Sequence, residues 1–269
     1  MMKKPTYYSS SPLTILVISF YLILPLFLTF MYSISVEWMD ILPSAITFRY
    51  YEQIFTDRIF WVSLVRSVII SIVPVVLTAL ILLLVMYVVV VYHPQMDKYI
   101  QIFCTIPYSI QGIILAISVL SLYSGAPAPF SNRILLMVLT YCIIILPYMY
   151  RGIKNALESI DAKSILETAQ ILGAGKFYSF FFIILPNILS GIVVSVLLSI
   201  AIIFGDFVIV NSVAGNYYFT AQMYLFKSMF ASGQKASAVV IILFLATLTI
   251  SCAVLYLKDK HQNTIRRQK

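Results

Sequence analysis

Apolar residues in this chain run in long, nearly unbroken blocks rather than in the alternating pattern of a half-buried strand or the one-sided stripe of a surface helix. Charges and turn residues bound six such blocks. They lie at about 13–34 (containing Pro25), 62–92 (without charge from Ser67 on) and 99–124 (interrupted by Pro107 and Gly112). The other three lie between Arg133 and Arg151, from Lys176 to about Asn211, and between Lys235 and Lys258. A bilayer core takes roughly 20 helical residues, so each block is long enough to cross, the fourth near the minimum. Lipid offers the backbone no hydrogen-bond partner, and strictly alternating barrel strands are absent from the sequence, so the blocks are predicted to be helices. The expected fold class is an all-α integral membrane protein with six transmembrane helices. The first block is longer than a secretion-signal core and no small-residue cleavage site follows it, so it is read as a retained helix.

Composition sharpens this. Of the residues, 61% are hydrophobic and only 10% charged, too few charges to cover a water-facing surface. That excludes an ordinary soluble enzyme, a disordered chain and a disulfide scaffold. Cys104, Cys142 and Cys252 sit in apolar blocks without ligand spacing, and His93 and His261 are far apart, so no metal site is expected. The net charge of +8 comes from short basic pieces between blocks, which suit an anionic leaflet and not nucleic acid.

Orientation follows from Lys and Arg. With the N-terminus inside, the inner pieces carry Lys3, Lys4, Lys98, Arg151, Lys154, Lys163, Lys176, Lys258, Lys260, Arg266, Arg267 and Lys269. The outer ones carry Arg49, Arg58, Arg133, Lys227 and Lys235. Twelve against five puts both termini in the cytoplasm. It also puts residues 151–186 on the cytoplasmic side. The outer segment 35–61 carries Trp38, Tyr50, Tyr51, Phe55, Phe60 and Trp61, read as an interfacial aromatic belt.

The loop 151–186 is the most informative segment. Asp161 is a candidate N-cap. Ile165, Leu166, Ala169 and Leu172 recur at helical spacing as one apolar stripe, and Gly173 is a natural stop because it tolerates positive φ. A second short helix is predicted from Lys176, and Pro186 removes a ladder hydrogen bond where the fifth block begins. A stripe of this kind packs either on the chain's own helix ends or into a groove of a soluble partner.

Glu167-Thr168-Ala169, three residues, Gly173, nine residues, Ile183-Ile184-Leu185-Pro186 resembles the EAA signature of permease subunits of binding-protein-dependent ABC importers. The spacing agrees throughout, and the one departure is Thr168 in place of an alanine. The resemblance implies a type I permease core of five helices over 62–257, preceded by a segment 1–61 with an added helix and followed by a basic tail, 258–269. It implies residence in a bacterial inner membrane, coupling to a separate ABC ATPase dimer, and pairing with a second permease subunit, homologous or identical. It further implies an extracytoplasmic solute-binding protein. Under it Glu167, Ala169, Gly173, Ile165, Leu172, Leu185 and Pro186 form the ATPase-coupling loop, with Ala169 packing closely in a groove, Glu167 making a polar contact and Gly173 forming the turn.

Gly173-Ala-Gly175-Lys176-Phe177 is not a phosphate loop: Gln170 stands where its first glycine belongs, and Phe177 follows the lysine. No nucleophile elbow, zinc-protease motif or facing carboxylates occur in the sequence. The chain is therefore expected to be no enzyme and to bind no cofactor, with ATP hydrolysed by a partner. A stand-alone secondary carrier is the competing class, and the internal repeat expected of one is not seen in the sequence.

Asp206 is the one carboxylate inside a long apolar run. A charge in hydrocarbon costs at least about 2.5–3.5 kcal/mol, so it is expected to face the bundle interior or a wet cavity. Two readings stay open: a wall of the translocation pathway together with Asn211, or a carboxylate satisfied by helix ends or by Arg66. The segments 204–215, 220–226 and 233–238 resemble, more loosely, the polyamine, ferric iron and aminoethylphosphonate branch of the family. Polyamine is the first choice of cargo.

Overall fold

A computed structural model describes residues 12–36, 38 and 45–267. Lys3, Lys4 and the middle of the outer loop lie outside the described residues. Of the basic tail, the helical backbone alone is described, as far as Arg267.

Ten helices follow in chain order: α1 (Pro12–Ser33), α2 (Arg49–Thr56), α3 (Arg58–Val91), α4 (Asp97–Thr105), α5 (Gly112–Tyr123), α6 (Arg133–Ser159), α7 (Ala162–Ile171), α8 (Lys176–Gly205), α9 (Ala221–Ala231) and α10 (Gly233–Arg267). The one extended pairing among the described residues is an isolated bridge between Ser35 and Ile46.

By length and apolarity α1, α3, α6 and α8 each suffice to cross a membrane. The pair 94–109 and 112–123, bent by 97°, makes a fifth candidate, either a broken span or a re-entrant loop. The third apolar block is therefore not the straight helix its length suggests. Gln111 adopts an extended conformation (φ −65°, ψ 138°) between the two halves, and a short 3₁₀ turn over Ile106–Ser109 ends the first. The sixth block falls in α10, whose apolar part among the described residues, Gly233–Thr249, is shorter than a full span. The fifth block ends at Gly205, six residues before Asn211, because Asp206 leaves the helix (φ −80°, ψ 125°).

The chain divides into two compact units, neither of which matches the 1–61 and 62–257 division drawn from the sequence. The first comprises residues 1–58 and 225–246. In it the Ser33 hydroxyl bonds the Tyr51 hydroxyl (2.7 Å), and Ile54 of α2 is fully buried. α1 keeps its apolar side chains exposed, as expected of a helix bathed in lipid tails.

The second unit, 59–224 and 247–269, holds the main core. Its central element is α6, whose Met137, Tyr141, Ile145, Met149, Tyr150 and Ile153 are almost wholly buried. α6 and α8 run antiparallel at close range, because small residues face each other: a Cβ on Gly152 would overlap Ser195, and one on Gly191 would come within 2.8 Å of Ala156 Cβ. Small residues at i and i+4 on both helices let two backbones approach where lipid supplies no hydrophobic drive. The outer faces of α3, α5 and α8 expose Leu80, Leu84, Ile114, Leu122, Leu189 and Leu198. The segment 160–175 is the connection between α6 and α8.

Candidate functional site

The connection is built as a short helix with a defined start and stop. Ile160 and Asp161 break α6, Asp161 in the left-handed region (φ 48°). The Asp161 carboxylate accepts a long bond from Ser164 N–H (3.4 Å) at the N-terminus of α7, where a negative group also suits the helix dipole. At the other end Gly173 has φ +86°. The Gly173 N–H reaches Gln170 O (3.0 Å) and the Ala174 N–H reaches Ala169 O (2.9 Å). This paired arrangement closes a helix on a left-handed residue and leaves few carbonyls without a partner.

α7 then packs on the first turns of α8 and the end of α6. Those first turns include a π-helical stretch, Ser179–Ile184, in which the Leu185 N–H bonds Phe180 O, five residues back. Pro186, which lacks a donor, stands directly after this wider turn. Phe177, Phe180 and Phe181 set their rings 6.0, 5.3 and 5.4 Å from that of Tyr87 on α3. Lys176 lies over Tyr92.

The apolar stripe divides. Ala162, Leu166 and Ala169 are buried within this chain, and Ile165 is half-buried against the same core. Ala169, expected to lie in a partner's groove, therefore belongs to the root of the loop. Leu172, expected beside it, is 82% exposed, and Ile171 is 85% exposed. The helix turns on Gly173 before either can fold back. Phe177 and Tyr178 are also exposed. Glu167 points to solvent with Lys163 at 3.9 Å, a solvated i,i+4 pair of small consequence. Leu185 and Pro186 lie in α8 beneath the loop. The result is a knob: an apolar tip at 171–172 with polar flanks on a buried root.

Beside the root, the ends of α3, α4, α6 and α7 enclose a cleft of about 340 Å³, floored by Met86, Val89, Val90 and Leu157. On its rim Lys154 Nζ lies 2.8 Å from Asp97 Oδ2, Tyr150 donates to Asp97 Oδ1 (2.9 Å), and Lys154 also donates to Gln101 (3.2 Å).

At the far end of the α6–α8 pair, Asp206 Oδ1 accepts from Ile209 N–H (2.8 Å) and from the Tyr141 hydroxyl (3.0 Å). Arg66, the partner named from sequence, lies instead over the Tyr218 ring at 5.6 Å. Asp206 thus caps a short helical segment that continues as a π turn, Val210–Ala214. Asn211 stands in that turn with its side chain exposed. The two sequence-chosen regions, 161–186 and 206–211, fall at opposite ends of one helix pair. Reasoning from sequence did not single out Tyr141, Tyr150, Asp97, Lys154, Gly152 or Gly191. Lys154 appeared there only as one inner basic residue, Gly152 lies just past the fourth apolar block, and Gly191 lies inside the fifth.

Fold and site together define a helical, multi-span membrane protein with a built knob between two of its helices. Residues 57–260 match the family described as binding-protein-dependent transport system inner membrane component, and the chain belongs to that family. It is a component of the inner membrane, with no catalytic role and no cofactor of its own. Over 70 residues, 26% of this chain, it is 41% identical to the molybdenum transport system permease protein ModB of Escherichia coli, covering 30% of that protein. Over 91 residues, 34% of this chain, it is 31% identical to the spermidine/putrescine transport system permease protein PotB of Haemophilus influenzae, covering 32% of it. The aligned stretches thus span less than a third of the length of these curated relatives. A chain of a bacterial ABC transporter involved in the import of the acidic polysaccharide alginate superposes with a TM-score of 0.62 at 18% identity, covering 91% of this chain and 93% of that one. That likeness is one of fold.

Proposed function

We propose that this chain is the permease subunit of an ATP-driven importer. It forms half of a translocation pathway with a second permease, homologous or identical, and takes cargo from an extracytoplasmic solute-binding protein. It couples to a separate dimer of ATPase subunits. The observation that carries this reading is the knob: Ile171 and Leu172 exposed on a glycine-stopped helix whose root is buried, in a chain of this family. An exposed apolar tip on a rigid base calls for a partner. Glu167, Gly173 and the tip contact the ATPase; Ala169, Ile165, Leu185 and Pro186 hold the tip in place. The crossings number six, with both termini cytoplasmic, the bent pair serving as the third and α10 as the sixth.

Purification of the tagged chain in mild detergent tests this. A Walker-type ATPase and a second permease should copurify. Gly173→Asp should lose the ATPase and keep the permease. Solute movement by the chain alone, without nucleotide, would overturn the reading.

For cargo, a polyamine such as spermidine or putrescine is the first reading, supported by the stretch similar to PotB and by the looser resemblance of 204–238. Asp206 and Asn211 then belong to the outer part of the pathway. An oxyanion is the second reading, favoured by the stretch similar to ModB. Uptake of labelled spermidine against labelled molybdate in cells with and without the chain decides between them.

A further inference from the structure

α4 is held in an unusual way. Of its nine residues only Cys104 is buried, while Tyr99, Ile102 and Phe103 are exposed. Asp97, at the start of its first turn, lines the 340 Å³ cleft, and in that turn only Ile100 packs against the core. The rest of what fastens it there is polar: Asp97 takes both Lys154 and the Tyr150 hydroxyl, and Gln101 takes the second hydrogen bond of Lys154. Glu158 stands 4.0 Å from Lys154, and Asp161 and Lys163 face the same cleft from α7. The Asp97 and Lys154 side chains are 33% and 20% exposed. A pair so placed has direct hydrogen bonds and limited water, so removing either partner strands the other.

The position of this fastening matters as much as its chemistry. Lys154 lies in the last turns of α6, eight residues before α7 starts. The bend of the pair rests on the same helix ten residues earlier: a Cβ on Gly112, at the start of the second half, would sit 3.8 Å from Ile144 and 3.7 Å from Ile209. Ile209 is the residue whose N–H caps on Asp206. The first half of the bent pair therefore runs along α6 from Lys154 to Ile144, about 15 Å at the helical rise, and meets the α6 stem of the knob at its start and the Asp206 segment at the bend.

We propose that Asp97, Lys154 and Tyr150 form a latch that makes α4 move with the stem of the knob, so that force received at α7 reaches the Asp206 segment through the bent pair. They are positioning residues. The latch rests on the permease reading for its role in transport, but its closure is a property of this chain alone.

Two measurements test it. In a chain with Cys142→Ser and Cys252→Ser, the remaining thiol, Cys104, reports whether α4 lies down on α6. A membrane-permeant maleimide should modify Cys104 at least several-fold faster in Asp97→Asn or Lys154→Met, and at the unaltered rate in the double exchange Asp97→Lys with Lys154→Asp. In the reconstituted complex with its ATPase, each single variant should lower cargo moved per ATP hydrolysed by about fivefold or more. The exchange should recover most of that ratio, and Tyr150→Phe should fall between. An unchanged Cys104 rate in the single variants, or an exchange that behaves no better than they do, overturns the latch. A changed thiol rate with an unchanged cargo-to-ATP ratio overturns its role in coupling. If no ATPase joins the unaltered chain, the permease reading fails while the thiol result stands by itself.

Discussion

The two ends of the α6–α8 pair are built by different means. At the knob end, α7 starts on Asp161 and stops on Gly173, twelve residues later, and every bond that defines it is made within the loop. At the opposite end, Asp206 caps its own following turn but also takes a hydroxyl from Tyr141, 65 residues away. A locally determined knob keeps its shape while its surroundings shift. A segment tied to a distant helix changes shape when that helix moves. The first property suits a part that is pushed, the second a part that responds.

The seam between the ends offers the hardest test of this contrast. Gly152→Val inserts atoms into the space held by Ser195, and Gly191→Val into that held by Ala156. Overpacking of this kind costs about 1–3 kcal/mol or more, and lipid-facing helices have no looser core to yield into. Both variants should lower the midpoint of thermal aggregation in detergent by several degrees and reduce recovered protein. Ser195→Gly should partly relieve Gly152→Ala. Loss at one end of the pair alone, with the other intact, would break the picture of a single body.

Gly173→Asp comes next. Nothing lies within 4 Å of the added Cβ, so the damage comes from the backbone at φ +86°, a strain of about 1–2 kcal/mol for an L-residue. The helix stop unravels and the 171–172 tip loses its aim. ATPase recovery should drop more than about tenfold, while thermal midpoint changes little. Gly173→Asn, which tolerates the left-handed region, should retain much of the binding. If asparagine and aspartate are equally harmful, the turn is not the cause.

These residues also mark how far the sequence speaks. The stop at Gly173 and the cap at Asp161 are legible because both are local rules of backbone chemistry. The direction of the stripe is not. Ile165, Leu166, Ala169 and Leu172 look alike in periodicity, yet α7 packs against the π turn at 179–184 with Leu166 and Ala169 buried and Leu172 exposed. The break near Gly112 is signalled by Pro107 and the glycine, but its 97° angle depends on what α6 presents to it. Asp206 is legible as costly, since a lone acid in an apolar run stands out, whereas its partner Tyr141 is one tyrosine among 19. Lys154 entered a count of basic residues alone, which had no means of pairing it with Asp97.

A milder prediction separates the two roles open to Asp206. Tyr141→Phe removes one of its hydrogen bonds and leaves the Ile209 cap and the charge in place. Asp206→Asn retains an acceptor for the cap and removes the charge. If the carboxylate serves mainly to shape the 207–214 turn, both variants should cost about 1–2 kcal/mol of stability with parallel losses of uptake. If its charge meets a cationic cargo, Asp206→Asn should lower spermidine uptake well beyond Tyr141→Phe at equal complex recovery.

The smallest effect belongs to Lys163 and Glu167, side by side on the exposed face of α7 at 3.9 Å. Lys163→Ala should leave the thermal midpoint within error, because exposed i,i+4 pairs contribute only a few tenths of a kcal/mol. Glu167→Ala should be just as silent for the isolated chain. If it also weakens ATPase recovery while Lys163→Ala does not, the acid acts on the partner and not on its own helix. That outcome would separate the polar flank of the knob from its apolar tip, since Leu172→Ala should weaken recovery further by removing one of the two exposed apolar side chains of the tip. Equal and negligible effects of Glu167→Ala and Leu172→Ala would instead move the docking surface to the exposed rings of Phe177 and Tyr178.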